Sequence, residues 1–343
     1  MGNGIGSFLR RYMEYYNISG VDFSESLGIT PKHLSEIINK NIDISDELVL
    51  AISLVTDFDV SYILKLENNK KMVRYLNERF KTEDNLKEYL NSFYIKELEK
   101  EKWIVLTHRE DVYNNAIDLL KFLKVRNFDI IERKKENTLF KKNTDSNTNK
   151  VLLWLSRCEN LTKNQEVAEF KMSNIEDILT FLKEERNKKL DIDKLVKYFN
   201  SKGLYLVIEK ALKGTKVRGA SKVKRNKPAI YLTTLYQDKS SFYYALYHEL
   251  GHIKKHYSMA KNKYLIDGEE RLEEEADKFA FNEMISCDLW KIITESNDLE
   301  NKSLDISKEY NIPMCFIVRS LAKEGYIKYN SSFYNKYIEK LDD

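Results

Sequence analysis

Apolar residues recur at helical spacing from the start of the chain, and over residues 5–16 they fall on one face, as an amphipathic helix requires. Residues 21–27 read as a second helix closed by Gly28. Thr30 caps a third over residues 31–39, with Pro31 in the first turn, where its missing N–H does no harm. Asp43 or Ser45 opens a fourth helix, and residues 60–66 form a fifth. The two short helices joined by Gly28-Ile29-Thr30 make a helix-turn-helix pattern. Residues 71–135 continue as amphipathic helices with Trp103 in their core. Residues 136–150 are polar with little periodicity, which marks an exposed loop or a domain boundary.

Helices resume from about 151 to 200. Residues 204–208 after Gly203, and 229–232 after Pro228, then read as strands. Asp238 or Ser240 starts a helix with an aromatic and apolar approach of Phe242, Tyr243, Tyr244, Leu246 and Tyr247. Residues 303–328 read as two more helices around Pro313. The pattern predicts a mostly α protein with a small β-sheet (α+β). Its parts are a five-helix helix-turn-helix domain at 1–68, a helical connector at 69–150, a domain at 151–300 with its core at 190–290, and a C-terminal helical extension at 301–343.

Composition narrows this picture. A chain of 343 residues makes two or three domains and buries ample core without disulfides. Cys158, Cys287 and Cys315 are widely spaced, with no C-x-x-C, as expected of ordinary thiols in a reduced compartment. With no apolar signal region and no run of ~18 apolar residues, the expectation is a soluble, cytoplasmic protein with no membrane partner.

The distribution of charge says more than the net +3. Residues 1–70 hold six basic groups against ten acidic ones, a net of −4. Thr30, Lys32, His33, Ser35, Glu36 and Asn39 are nevertheless of types that contact phosphates and bases. DNA binding through so acidic a domain would be weak and salt-sensitive unless a homodimer doubled the contacts, and partner docking is the competing reading. Residues 210–227 run the other way, with eight basic residues and no acidic one. As a solvated hairpin they need no function; beside an active-site cleft, Lys222, Lys224 and Arg225 would guide an acidic substrate segment or nucleic acid.

The chemistry concentrates at His248-Glu249-Leu250-Gly251-His252, an H-E-x-x-H on one helix. Residues four apart share a helix face, so both imidazoles can reach one zinc ion, with Glu249 beside it as candidate general base. Downstream stands Glu273-Glu274-Glu275-Ala276-Asp277. Glu273 can complete three protein ligands, leaving a fourth position open as in catalytic sites, while Asp277 orients a histidine from behind. Glu274 and Glu275 are alternative ligands, Glu275 the weaker because it points roughly opposite to Glu273. On a straight helix His256 would lie roughly 12 Å from His248, too far to share the ion, so it is read as an outer partner or a surface residue. An oxyanion donor is expected among Tyr264, Arg218 and the nearby tyrosines.

These residues resemble the ImmA/IrrE family of metallopeptidases: Tyr247 to His252 with His256, then Glu273-x-Glu275-Ala276-Asp277-x-Phe279-Ala280. Gly203, Gly219-Ala220 and Lys227-Pro228-Ala229-Ile230-Tyr231-Leu232 match further upstream. Residues 27–40 resemble the XRE-type helix-turn-helix, particularly its HigA-antitoxin branch. The resemblance implies a zincin-like domain in which His248, His252 and Glu273 hold Zn2+ and Glu249 is the base. It implies an endopeptidase acting on a repressor- or antitoxin-like protein in phage, mobile-element or toxin–antitoxin regulation. The alternative is a DNA-binding regulator or antitoxin whose zinc domain serves as a sensor or scaffold without proteolysis.

Overall fold

Short polar side chains set most of the helix starts. Ser19, Ser45, Asp59 and Asp238 each accept a hydrogen bond from a first-turn backbone N–H, the donors that a helix leaves unpaired. The computed structural model describes residues 4–40, 42–138, 147–234, 238–261, 263–266 and 270–341, with the backbone alone for 136–138. These residues make a mostly α protein with one small sheet, as the pattern predicts. The expected polar stretch at 136–150 falls, for 139–146, outside the described residues; the positions on either side of that gap are in or beside helices.

The chain divides into two compact units, Met1–Ile95 with Ile104–Leu119, and Lys96–Trp103 with Leu120–Asp343. In the first, α1 (Ile5–Tyr16), α2 (Gly20–Ser26), α3 (Pro31–Lys40), α4 (Asp46–Thr56) and α5 (Val60–Phe80) enclose a core that includes Phe8, Phe23, Leu34, Ile37, Ile52 and Ile63. Helix α5 does not stop at residue 66 but runs 21 residues. No glycine or proline interrupts it, and its polar stretch is absorbed by a buried ion pair, Glu67 to Lys70 at 2.7 Å. Further along the chain come α6 (Glu83–Asn91), α7 (Ile95–Lys100), α8 (Val112–Leu123) and α9 (Phe128–Thr138), with α9, α7 from Lys96 and the following residues to Trp103 belonging to the second unit. Trp103 is buried, as expected.

The second unit is built on a three-stranded sheet. Helices α10 (Thr148–Leu161), α11 (Asn174–Glu185) and α12 (Ile192–Ser201) precede β1 (Tyr205–Ile208), β2 (Gly219–Lys224) and β3 (Lys227–Leu232). The order is β1-β3-β2, with β1 parallel and β2 antiparallel to β3. The basic segment 210–227 therefore contains a third strand as well as a hairpin. Arg225 and Asn226 turn that hairpin at positive φ, as a two-residue connection demands. The outer edge of β2 is met by Leu265, which exchanges both backbone hydrogen bonds with Ser221. Helix α13 (Lys239–Ala260) covers the sheet with Phe242, Leu246, Tyr247, Leu250 and Ile253. Then come α14 (Glu270–Met284), α15 (Cys287–Thr294), α16 (Leu299–Glu309), α17 (Met314–Lys323) and α18 (Ser332–Tyr337). Among the described residues no helix is long and apolar enough to cross a membrane.

Candidate metal centre

Two small residues bring the histidine helix and the acidic helix together. A Cβ on Gly251 would lie 2.9 Å from Phe279 Cδ1 and 3.3 Å from the Cα of Ala276, so α13 and α14 pack backbone against backbone there. One turn before Ala276, that approach carries Glu273 to the histidines. Its two carboxylate oxygens lie 3.2 Å from His248 Nε2 and 3.5 Å from His252 Nε2. Donor atoms of all three residues fall within 4.8 Å of one another. Ligands about 2.0–2.1 Å from a tetrahedral zinc stand roughly 3.4 Å apart, so this donor set fits the ion.

The far side of each ring is also engaged. Asp277 Oδ1 lies 2.8 Å from His248 Nδ1 and accepts a 2.7 Å hydrogen bond from the Tyr244 hydroxyl. Lys323 in turn donates to Tyr244 at 3.2 Å. Behind His252, Nδ1 meets His256 Nδ1 at 3.1 Å, and His256 Nε2 meets Glu275 at 3.1 Å. In the neutral tautomers that satisfy this chain, His256 Nε2–H donates to Glu275 and His252 Nδ1–H donates to His256. The His252 Nε2 lone pair is then left facing Glu273.

His256 thus takes the outer position, although buried; α13 bends at it, with φ −119° and ψ 25°. Glu275 serves His256 and Arg271, and Glu274 faces solvent with Lys278. Neither reaches the histidine pair.

The centre is built to hold positive charge. Burial alone would lower the pKa of His248, but Asp277 and Glu273 outweigh it and push it up to about 10. His252 is driven down to about 3, by burial and by the charge on His248. The Asp277 carboxyl, which burial would raise, is lowered by its hydrogen bonds to His248 and Tyr244.

Glu249 is buried and lines the same cleft. Its carboxylate accepts a hydrogen bond from the Ser221 hydroxyl on β2. A side chain at Gly219 would collide with that carboxylate, so the strand makes room for the acid. The cleft, about 740 Å³, runs from Thr215–Gly219 to Arg319 and Lys323 on α17.

Its basic lining is not the expected one. Lys216 and Arg218, just before β2, border it, whereas Lys222, Lys224 and Arg225 sit toward the hairpin end and do not. Lys222 is paired with Glu159 at 3.0 Å and stacked over Tyr264. Tyr264, expected as an oxyanion donor, is half-buried with its hydroxyl on Glu159 and does not line the cleft, while Arg218 does. Ser221, Arg319 and Lys323 have no signal in the sequence, and Tyr244 reads there only as part of the aromatic approach and one of the nearby tyrosines, although it stands four residues before His248 on the same face.

In the first unit, α2 and α3 are joined by a short turn through Gly28, which stands at φ 66°. Thr30, Lys32, Ser35 and Asn39 are exposed and His33 half-buried. Thr30 caps α3 through the His33 N–H, while Asn39 donates to Ser35 and accepts from Arg10. Compared with models of known protein families the sequence matches none, and comparison with curated proteins likewise finds no match.

Proposed function

We propose that this chain is a zinc-dependent endopeptidase of the ImmA/IrrE kind, coupled to a helix-turn-helix unit, that cleaves a repressor- or antitoxin-like protein. The observation that carries this reading is the convergence of His248, His252 and Glu273 on one point, with His248, Glu273 and the Glu249 carboxylate all lining one cleft. A structural zinc site has no need of a buried, separately supported carboxylate beside its ligands.

Bound by those three residues, zinc would supply Lewis acidity toward a scissile carbonyl and make water acidic enough to attack it. Glu249 takes the proton from the attacking water and returns it to the leaving amide nitrogen. Ser221 and Gly219 fix where that carboxylate stands. Asp277 holds His248 through Nδ1, Tyr244 holds Asp277, and His256 holds His252.

The polar face formed by Lys32, Ser35 and Asn39, with Arg10 beside them, favours DNA as partner of the first unit. A gel shift with no complex at low salt, on DNA upstream of the protein's own gene, would assign that unit to docking or dimerisation instead. The peptidase reading is tested on the full chain. Purified protein should carry one zinc and cleave a small repressor or antitoxin encoded beside it. Glu249→Gln should keep the zinc and lose the cleavage by mass spectrometry. A protein that binds no zinc ends the proposal.

A further inference from the structure

We infer that the cleft contains a subsite for a peptide carboxylate, formed by Arg218, Arg319 and Lys323 around the Tyr244 ring, beside the metal centre. The inference deepens the peptidase reading and rests on it for the substrate being a peptide. Lys323 Nζ lies 4.6 Å from the Tyr244 ring centroid and bonds to the phenol oxygen rather than to a carboxylate. Arg218 and Arg319 are both close enough to oppose the rise in the Tyr244 pKa that burial and Asp277 produce. All three cations border the open cleft.

Arg319 is under-used where it stands. Its nearest described carboxylate, Asp238, is 3.7 Å from Nε, beyond hydrogen-bond reach, and that buried Nε has no hydrogen-bond partner among the described residues. Asp238 is already committed to α13, accepting from the Ser241 N–H and the hydroxyls of Ser240 and Ser241. Arg319 thus borders the cleft, part-exposed, without a hydrogen-bonded carboxylate among the described residues, and an incoming carboxylate would give its guanidinium a charge-assisted bond.

The remaining charges limit what fits. Lys216, Asp238, Glu249, Glu273 and Asp277 also border the cleft, so the further charges are mostly negative. A singly charged carboxylate gains the three cations at less repulsion than a doubly charged phosphate would meet. The carboxylate can come from an Asp or Glu side chain or from a peptide C-terminus.

The test uses the full chain as zinc-loaded Glu249→Gln, so that peptides bind without being consumed. Probes are fluorescein-labelled alanine-rich hexapeptides with one Glu at successive positions, their Gln twins, and each as free acid and C-terminal amide. Fluorescence anisotropy should show a carboxylate form binding about tenfold tighter than its neutral twin. That ratio should fall toward one when Arg319→Gln or Lys323→Gln is added, and persist with Arg319→Lys, thermal melts confirming folding. Dependence on Glu identifies a side-chain carboxylate, and dependence on the free terminus a C-terminal one; either supports the subsite. Equal binding of all four forms overturns it.

In parallel, the unsubstituted chain is assayed for cleavage of the same peptides. Cleavage without carboxylate discrimination overturns the subsite and leaves the peptidase reading standing. Carboxylate-dependent binding with no cleavage of peptides or protein sinks the peptidase reading and keeps the anion subsite.

Discussion

Asp277 meets His248 at Nδ1, 2.8 Å away, on the opposite edge of the ring from Glu273, which meets Nε2. One carboxylate is placed to ligate with the imidazole and the other to orient it. Outer carboxylates of this kind fix the ring's rotation and tautomer and strengthen it as a donor. Asp277→Ala should therefore weaken zinc binding by about 10–100-fold in competition against a chelating dye. Tyr244→Phe, which removes the bond to Asp277 and the one received from Lys323 but leaves the carboxylate on His248, should cost less. Unchanged affinity in Asp277→Ala would remove this carboxylate from the metal centre.

Gly219 gives a cleaner separation of metal from chemistry. A methyl group there collides with the Glu249 carboxylate but stands on β2, away from the ligand residues. Gly219→Ala should retain full zinc content and lose about 100-fold in kcat, the usual consequence of displacing a reacting group by about an ångström. Loss of zinc in this variant would place Gly219 in the support of the metal instead.

What could be read in advance followed from local spacing. His248, Glu249 and His252 lie within one helical turn, so their shared face needs no tertiary knowledge. Glu273 was reachable because it stands four residues before Asp277 on one helix face, although Glu274 and Glu275 stayed open as alternatives until the packing of Gly251 against Ala276 set the helix phase. Strand β2 was hidden by its own lysines. Its first half is buried on both faces and its second half carries Lys222 and Lys224, so no clean alternation of period two exists. Arg319 and Lys323 form an ordinary i,i+4 basic pair on α17, and helical periodicity does not say which cleft a helix will border. The extent of α5 was missed because Glu67 and Lys70 read as surface residues until each is seen to be the other's buried partner.

That pair yields a stability prediction. Lys70 and Glu67 side chains are 4% and 3% exposed, and Lys70 also donates to the Ile42 carbonyl at 2.8 Å. Removing Lys70 alone leaves the buried Glu67 carboxylate with only the more distant Lys71, at 3.7 Å, which costs about 3–5 kcal/mol. Urea unfolding of the first unit should show Lys70→Ala losing stability on this scale. Glu67→Leu combined with Lys70→Met should recover most of it, because apolar replacement of both partners leaves no charge unpaired. A double variant as unstable as the single one would mean the pair does more than satisfy itself.

The opposed histidines make zinc binding and pH inseparable. With a pKa near 10 in the metal-free protein, His248 is protonated at neutral pH and must lose that proton to ligate, while His252, near 3, is already neutral. Calorimetry at about pH 7.5 in buffers of different ionisation enthalpy should record release of about one proton per zinc; a histidine at the ordinary ~6.5 would release about a tenth. The same shifts act on the metal-free fold with opposite signs. His248, raised, contributes stability that is fully present below about pH 6.5 and lost as pH climbs through 10. His252, depressed, contributes stability present above about 6.5 and lost as pH falls toward 3. Melts of the metal-free protein should therefore decline from about pH 7 to 10, and His248→Gln should flatten that decline relative to the unsubstituted chain. If release stays near a tenth of a proton and His248→Gln leaves the alkaline limb unchanged, His248 is not held between Asp277 and Glu273 in solution.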